Sequence, residues 1–257
     1  MSALLEARGL SKHFGGVLAL DGLDLAVASN EILGLIGPNG SGKTTFFNVI
    51  TGIYRADAGR VTFDGADVTN ASGRAVYRAG MSRTFQRSRL SLPLSIFDNI
   101  MIGNHKRLTQ GLWFNLVTRG AFKRQFEESY AAARELVEVF EPALANRLFE
   151  PVAGLPMIDR RRIEICRALI NSPKLLLLDE PSAGMTHEET AELMNDIMLF
   201  RARNQSITII IVEHEMGVIE RITDRCIVLN FGRKIAEGPY RTVAADAQVQ
   251  EAYLGAA

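Results

Sequence analysis

The feature that most constrains the fold is the segment GPNGSGKTT, residues 37–45, which directly follows the apolar run EILGLI. It matches the pattern G-x-x-x-x-G-K-[ST], in which backbone N–H groups turn inward around the phosphates of a nucleotide. In this pattern Lys43 can reach the β- and γ-phosphates, and the Thr44 hydroxyl can ligate Mg²⁺. A strand pattern precedes the segment and a helical pattern follows from Gly42 to Gly52. This context favours a nucleotide-binding loop over a plain glycine-rich turn.

A second motif, LLLLDEP at residues 175–181, places two carboxylates after a continuous apolar run. Such a run is typical of a strand buried on both faces of a parallel sheet, whose carboxyl end is where open α/β sheets bind ligands. Asp179 can hold Mg²⁺ through water, and Glu180 can orient an attacking water, which is nearly all that phosphoryl transfer requires. An Asp-Glu pair at a strand end is by itself more often solvated. The presence of a phosphate loop favours the catalytic interpretation.

Two further polar residues end predicted segments and could act in the same site. His214 ends the strand pattern SITIIIVEH, so it would lie at the carboxyl edge of the same sheet and could reach a γ-phosphate. Gln86 ends the segment GMSRTFQ, where its amide could meet Mg²⁺ or the lytic water. A histidine at a strand end is usually structural or solvated, so both assignments depend on the two motifs above.

The strand and helix patterns predict an α/β core that is interrupted by a helical segment. Residues 4–36 alternate apolar and polar residues, which predicts several short strands, at least some of them antiparallel. Strand patterns fade between residues 87 and 162, where residues 122–140 show helical periodicity. We therefore expect a nucleotide-binding core from residues 1–86 and 163–257, with a helical subdomain at 87–162.

Composition excludes few classes of protein, but it restricts the partners and the compartment that we expect for this chain. The chain has 29 Lys and Arg against 29 Asp and Glu, and this balance gives no sign of a nucleic-acid partner. The two cysteines, Cys166 and Cys226, fall in apolar patterns and are expected to be packed thiols in a reducing compartment. No apolar run is long enough to cross a bilayer, and the N-terminus does not resemble a signal peptide. We expect a chain that is soluble by itself and reaches a membrane through a partner.

Taken in chain order, these motifs resemble those of the ATP-binding subunits of ABC transporters. GPNGSGKT corresponds to the Walker A motif, LLLLDEP to the Walker B motif, and Phe14 to the aromatic residue that stacks on adenine. Three shorter stretches match the Q-loop, a variant D-loop and the switch histidine: TFQ, SAGM and VEH, which end at Gln86, Met185 and His214. The resemblance covers nearly the whole chain. It implies an α/β fold with a P-loop NTPase (RecA-like) core, an N-terminal antiparallel β subdomain and an inserted helical subdomain.

The resemblance also implies the site residues and cofactors. ATP and Mg²⁺ would be bound, with Glu180, His214 and Gln86 in catalytic roles and Thr44, Gln86 and Asp179 at the metal. The nucleotide would be held by Phe14, Gly37, Pro38, Asn39, Gly40, Ser41, Gly42, Lys43, Thr44 and Thr45.

Three features resemble a narrower group, the importer ATPases for branched-chain and other hydrophobic amino acids. They are the long helical insertion, the phrase FQRSRLSLPLSIFDNI after the Q-loop and the ending EAYLG at residues 251–255. The resemblance implies an ATPase that powers import at the cytoplasmic face of the inner membrane. Its partners would be transmembrane permease subunits, a second ABC ATPase subunit and, indirectly, a substrate-binding protein.

One stretch departs from the family pattern, at the signature motif that usually reads Leu-Ser-x-Gly-Gln. Aligned through RRRIEI, this chain has Leu155, Pro156, Met157, Ile158 and Asp159. Proline offers neither a hydroxyl nor an N–H, isoleucine replaces the glycine that permits close approach, and a carboxylate would repel a phosphate. Asp159 could instead cap the helix that follows. Neighbouring N–H groups could also still suffice, because helix N-termini bind anions without a special side chain.

In the family each ATP is held between the Walker A motif of one subunit and the signature of the other. We therefore hypothesise obligate pairing with a second ATPase that carries an intact signature. Two alternatives remain within transporters: an ATP-binding regulatory subunit with little turnover, and the ATPase of a lipopolysaccharide-type exporter. A non-transport ABC ATPase usually carries two cassettes or long coiled-coil inserts, and neither pattern is visible here.

The helical segment supplies candidates for contact with the permease. A groove for a cytoplasmic coupling helix could be formed by Leu90, Leu92, Leu94, Ile96 and Phe97, for which plain core packing is an equal alternative. Trp113 and Phe114 could touch membrane or permease, although core packing is the more common role of such residues.

Overall fold

The computed structural model describes residues 3–86, 89–104, 119–204 and 206–254, which form two compact units. The first unit contains the described residues of 1–83, 174–181 and 205–257, and the second those of 84–173 and 182–204. This division differs from the predicted boundaries at residues 87 and 162. The reason is that one continuous helix, Met157–Leu169, belongs whole to the second unit, and so does the later helix His187–Arg203.

The first unit contains two sheets. A six-stranded sheet has the order β10-β9-β3-β8-β7-β6, and a four-stranded sheet has the order β2-β1-β4-β5. The strands are β1 Ala3–Phe14, β2 Val17–Ala28, β3 Ile32–Ile36, β4 Ala58–Phe63, β5 Ala66–Asp67, β6 Met81–Arg83, β7 Leu175–Asp179, β8 Thr208–Val212, β9 Arg225–Asn230 and β10 Arg233–Gly238.

The centre of the larger sheet is formed by three parallel strands, β3, β8 and β7, whose residues are all buried. Their sequences are continuous apolar runs because both faces of such a sheet are covered. The pairing of Asp179 with Val212 brings the end of β7 level with the end of β8. The carboxyl ends of all three strands therefore meet at one edge, as the apolar runs predicted.

The smaller sheet confirms the antiparallel N-terminal strands but not their predicted shortness. β1 and β2 each run for twelve residues and pair with each other throughout. Register shifts interrupt this pairing, for example between Ala7 and Leu10. Such irregularities let a long strand bend without ending, so the breaks in alternation that suggested separate strands are bulges. Asp64 and Gly65 form the turn between β4 and β5, with φ values of 49° and 78°.

Among its described residues, the first unit also contains five helices: α1 Lys43–Ile50, α2 Gly73–Ala79, α7 Met216–Ile222, α8 Tyr240–Ala244 and α9 Ala247–Leu254. Helix α1 places Phe46 and Phe47 in a core shared by both sheets, where neither side chain is exposed. Burial of an aromatic side chain of this size stabilises the fold by roughly 1.5–3 kcal/mol. This packing fixes the helix that begins directly after the phosphate loop.

The second unit is helical, with α3 Ile96–Ile102, α4 Arg119–Phe140, α5 Met157–Leu169 and α6 His187–Arg203. Among the described residues, no helix is both long and apolar enough to span a membrane. Trp113 and Phe114 lie outside the described residues. Cys166 on α5 and Cys226 on β9 are free and buried, as the apolar patterns predicted.

A buried arginine holds the second unit together. The Arg162 side chain, only 5% exposed, ion-pairs with Glu141 after α4, with Asp159 in its own helix and with Glu192 and Asp196 on α6. Burial lowers the pKa of Arg162, but the hydrogen bonds to Glu192, Asp159 and Asp196 outweigh it, so the pKa is raised overall. Arg162 thereby joins the start of α5 to two other segments.

We expect Arg162→Met to destabilise the protein by about 3–5 kcal/mol, because it leaves several partly buried carboxylates close together without their counter-ion. The free energy of unfolding from urea titration measures this effect. The matched control is Arg147→Met, which removes an exposed pair with Glu150 in the same unit and should change stability little. Equal effects of the two substitutions would contradict the assignment of Arg162 as a structural centre.

Candidate nucleotide-binding and hydrolysis site

The phosphate loop joins β3 to α1 and is shaped by three glycines with positive φ: Gly37 at 147°, Gly40 at 78° and Gly42 at 109°. A Cβ on Gly37 would lie 2.1 Å from the carbonyl oxygen of Leu229, so no other residue fits at the start of the loop. The Ser41 carbonyl accepts a hydrogen bond of 2.9 Å from the Gly232 N–H in the β9–β10 turn. The loop is thus held by backbone contacts.

Lys43, the first residue of α1, is buried and its amine is folded back into the loop. Nζ donates to the carbonyl oxygens of Gly37 at 2.6 Å and Pro38 at 2.9 Å. Burial lowers the pKa of Lys43, and the charges of Glu180 and Asp179 act in the opposite direction. The backbone oxygens that hold the amine are weaker partners than a phosphate, whose negative charge would strengthen each hydrogen bond.

Glu180 and His214 meet at the carboxyl edge of the same sheet. His214 Nε2 lies 2.7 Å from Glu180 Oε1, and the Glu180 N–H donates to the Val212 carbonyl at 2.9 Å. Glu180 also has a φ of 48°, which is uncommon for a residue other than glycine and marks backbone strain at this position. The pair sets a carboxylate and an imidazole beside each other at this edge of the sheet.

Asp179, at the end of β7, is buried and forms an ion pair with Arg83, whose Nη2 lies 2.6 Å from Asp179 Oδ2. Thr44, at the start of α1, is exposed. The donor set of one carboxylate and one hydroxyl fits Mg²⁺, which prefers oxygen ligands and usually takes few from the protein alongside substrate phosphates. In the described ranges there is no group of three or more His, Cys, Asp or Glu side chains that would suit a metal held by protein alone.

Phe14, at the end of β1, has its ring 41% exposed and in contact with a second aromatic side chain. The ring centroids of Phe14 and Tyr54 are 5.1 Å apart in an edge-to-face arrangement, and Lys12 Nζ lies 5.4 Å from the Phe14 ring. Phe14 was expected from the family resemblance, whereas Tyr54 was not, because it lies in an irregular segment after α1 that belongs to no motif. Both rings offer a surface on which a base could stack.

Gln86 lies in the second unit and is exposed. Its carbonyl accepts a hydrogen bond of 3.3 Å from Arg161 Nη2, and the same guanidinium donates to the Phe85 carbonyl at 3.1 Å. Arg161 also pairs with Glu164 at 2.8 Å, with both side chains buried. Helix α5 therefore holds the backbone of the predicted Q-loop, while the role of the Gln86 amide stays a prediction.

The divergent signature opens α5 without a side-chain cap. Pro156 occupies the cap position, and its side chain has no atom that could accept a capping hydrogen bond. The prediction that Asp159 could cap the helix is wrong, since its Oδ1 pairs with Arg162 at 3.0 Å. Ile158 is buried, whereas Met157 is 46% exposed and lies against Gly184, where an added Cβ would be 3.0 Å from Met157 Cε. The side chain presented outward at this helix start is therefore a thioether.

A cavity of about 650 Å³ borders the phosphate loop on the side of the C-terminal helix. Its lining joins residues 38–41 to Phe231 and to Gln248, Glu251 and Ala252 of α9. Burial raises the pKa of Tyr253, also on α9, to about 12. That residues 251 and 252 of the ending EAYLG line a cavity beside the phosphate loop was not predicted from the sequence.

Comparisons with known proteins agree with this geometry. The family model described as ABC transporter matches residues 20–183, and a model described as branched-chain amino acid ATP-binding cassette transporter matches residues 233–257. Two similar curated proteins are the high-affinity branched-chain amino acid transport ATP-binding proteins BraF of Pseudomonas aeruginosa and LivG of Escherichia coli. Each is 35% identical over 255 residues, which covers 99% of this chain and 98% of the relative.

Solved structures lead to the same family. A crystal structure of the ADP conformation of an ATP-binding cassette of an ABC transporter is 30% identical, with a TM-score of 0.84 over 99% of this chain and all of the other. A nucleotide-free cassette from an ABC transporter gives a TM-score of 0.83 at 30% identity over 98% of both chains. The chain belongs to the ABC transporter family, and it is an ATP-binding, ATP-hydrolysing cassette subunit.

Proposed function

We propose that this cassette powers an importer for branched-chain or other hydrophobic amino acids or related small molecules. The relatives named for branched-chain amino acid transport support this specificity, because the similarity covers almost the entire length of both chains. The separate match at residues 233–257 supports it independently of the nucleotide motifs. The same names favour an amino-acid importer over a lipopolysaccharide exporter. Its partners would be transmembrane permease subunits at the cytoplasmic face of the inner membrane and, indirectly, a substrate-binding protein.

The observation that carries the hydrolytic role is the 2.7 Å contact between Glu180 and His214 at the strand edge that also bears the phosphate loop. A carboxylate fixed in this way can orient a water in line with the γ-phosphate, and the imidazole can donate to a phosphate oxygen. Lys43 would leave its backbone acceptors for the phosphates, which are stronger acceptors because they are charged. These residues position the reacting groups and neutralise the charge of the phosphates, which is most of what phosphoryl transfer needs.

Mg²⁺ would be held by the Thr44 hydroxyl and Asp179, together with the phosphates of ATP, and a part for the Gln86 amide is implied by the family resemblance alone. The cation supplies charge neutralisation of the phosphates. Phe14 would stack on the adenine, and the other residues of 37–45 would surround the phosphates with N–H groups.

The signature geometry supports an asymmetric pair of ATPase subunits. Pro156 provides no hydroxyl and no N–H, and the neighbouring exposed side chain is the apolar Met157. A homodimer would contain two such signatures. A heterodimer with a second ATPase that has an intact signature would contain one complete site, built on the Walker residues of this chain.

The helical unit would dock the permease through an exposed apolar surface. Of the five candidate groove residues, Ile96 and Phe97 are buried, so for them the core-packing alternative is correct. Leu92 and Leu94 are 44% and 39% exposed. Close by in the same unit, Phe97 contacts Phe149, which is 61% exposed. Leu92, Leu94 and Phe149 therefore remain candidates for contact with a coupling helix.

We expect Glu180→Gln to lower the ATP turnover of the assembled transporter by about 10²–10⁴-fold, the typical contribution of a positioned general base. ATP binding should persist, because the phosphate loop is unchanged. Turnover and cargo uptake in reconstituted vesicles are measured together. If uptake continued at the wild-type rate in Glu180→Gln, the regulatory alternative, in which this chain binds ATP without driving transport, would replace the proposal.

The isolated chain should hydrolyse ATP slowly, and a partner ATPase with an intact signature should raise turnover by about 10²–10³-fold, the usual effect of one preorganised donor. In the isolated chain, Pro156→Ser should restore part of this rate, since serine offers both the hydroxyl and the N–H that proline lacks. Steady-state phosphate release measures both effects. Rapid Glu180-dependent hydrolysis by the chain alone, unchanged by Pro156→Ser, would refute obligate pairing.

A further inference from the structure

Arg83, at the end of β6, has a nearly buried side chain that reaches the neighbouring strand β7. Its Nη2 donates to Asp179 Oδ2 at 2.6 Å, and the two side chains are 6% and 4% exposed. The two residues lie 96 positions apart in the chain and meet because β6 and β7 are adjacent parallel strands.

Three contacts hold the guanidinium in place independently of Asp179. Nη1 donates to Asn48 Oδ1 at 2.7 Å and lies 3.4 Å from Thr51 Oγ1, and the guanidinium carbon is 5.3 Å from the centroid of the Phe47 ring. Asn48 and Phe47 belong to α1, the helix that follows the phosphate loop. Arg83 therefore connects that helix to the carboxylate at the end of β7.

The burial of Asp179 makes a counter-ion necessary. A buried carboxylate is costly unless it is paired and hydrogen-bonded. An arginine stays charged at any ordinary pH, and its planar fork fixes the direction of the carboxylate as well as its charge.

We propose that Arg83 is a positioning residue that compensates the charge of Asp179 before a divalent cation binds and holds the carboxylate in the orientation that the cation requires. The inference rests on the proposed function in one respect, the assignment of Asp179 as the metal-facing carboxylate.

A specific consequence follows for the protein without nucleotide. In Arg83→Met the buried Asp179 loses the guanidinium that lies 2.6 Å from it, so a divalent cation that reaches Asp179 can replace that positive charge. Mg²⁺ alone should then stabilise the variant, whereas the wild type, which has Arg83, should respond little. An arginine that served only to pack β6 against α1 would give a destabilised variant with no response to Mg²⁺.

The experiment is thermal unfolding of the full chain without nucleotide, in EDTA, in millimolar MgCl₂ and in NaCl of equal ionic strength. We expect Arg83→Met to unfold at a lower temperature than wild type in EDTA and to recover much of the loss in MgCl₂ but not in NaCl. The control is Arg60→Met, which removes an exposed pair with Asp67 in the same unit and should show no Mg²⁺ response. The double variant Arg83→Met/Asp179→Asn should also lose the response. A Mg²⁺ shift no larger than in Arg60→Met, or one that survives Asp179→Asn, would overturn the proposal.

If Arg83→Met does not fold, Arg83→Lys gives the same decision. Lysine keeps the charge but cannot hold Asp179 and Asn48 with one planar fork. The Mg²⁺ concentration that half-saturates ATP turnover should therefore rise severalfold, with a smaller change in the maximal rate. An unchanged half-saturating concentration would contradict the positioning role. Because the unfolding experiments contain no nucleotide, their outcome is separate from whether Glu180 drives hydrolysis.

Discussion

The site depends on the parallel pairing of β3, β8 and β7, since this ladder alone brings three distant segments of the chain to one edge. The phosphate loop leaves the end of β3, Glu180 follows β7 and His214 follows β8. Each strand is apolar on both faces and completely buried, as is typical of strands at the centre of a covered parallel sheet. Loops could not place a carboxylate and an imidazole 2.7 Å apart as reproducibly as two paired strands do.

Around this edge, buried charges are balanced by near neighbours. The Lys43 amine is held by backbone oxygens of its own loop, and Asp179 is paired with Arg83. In the second unit, Arg161 joins the signature helix to the backbone of residues 85 and 86, and Arg162 joins the same helix to α6. Such arginine contacts fix the relative positions of the segments that they join, because one planar guanidinium binds several partners at once. Within the second unit, the predicted Q-loop and the divergent signature are thus parts of one connected structure.

The sequence predicted the features that local pattern controls and missed those that depend on strand order. Apolar runs and motif spacing were enough for β3, β7, β8, the phosphate loop and the positions of Glu180 and His214. The Arg83–Asp179 pair was not predictable, because it requires knowing that β6 lies beside β7. Asp159 was expected to cap the helix because the capping rule considers only the carboxylate and the nearby backbone N–H groups. In the structure Arg162 binds this carboxylate, and the charge on both groups makes that hydrogen bond the stronger one. The expected boundary at residue 162 rests on a change of composition, and it falls within α5, which runs from Met157 to Leu169.

The central claim is that this chain supplies the Walker A and Walker B residues of an ATP site. Their charged side chains, which here contact backbone oxygens and other side chains, would contact ATP instead. Equilibrium titration of the full chain with a fluorescent ATP analogue tests this most directly when wild type and Lys43→Ala are compared. Loss of a charge-assisted hydrogen bond costs about 1.5–3 kcal/mol, so the account predicts an affinity lower by roughly 10- to 100-fold in the variant, with the fold retained. An affinity equal to that of wild type would show that the nucleotide does not bind at this loop, and the account would be wrong.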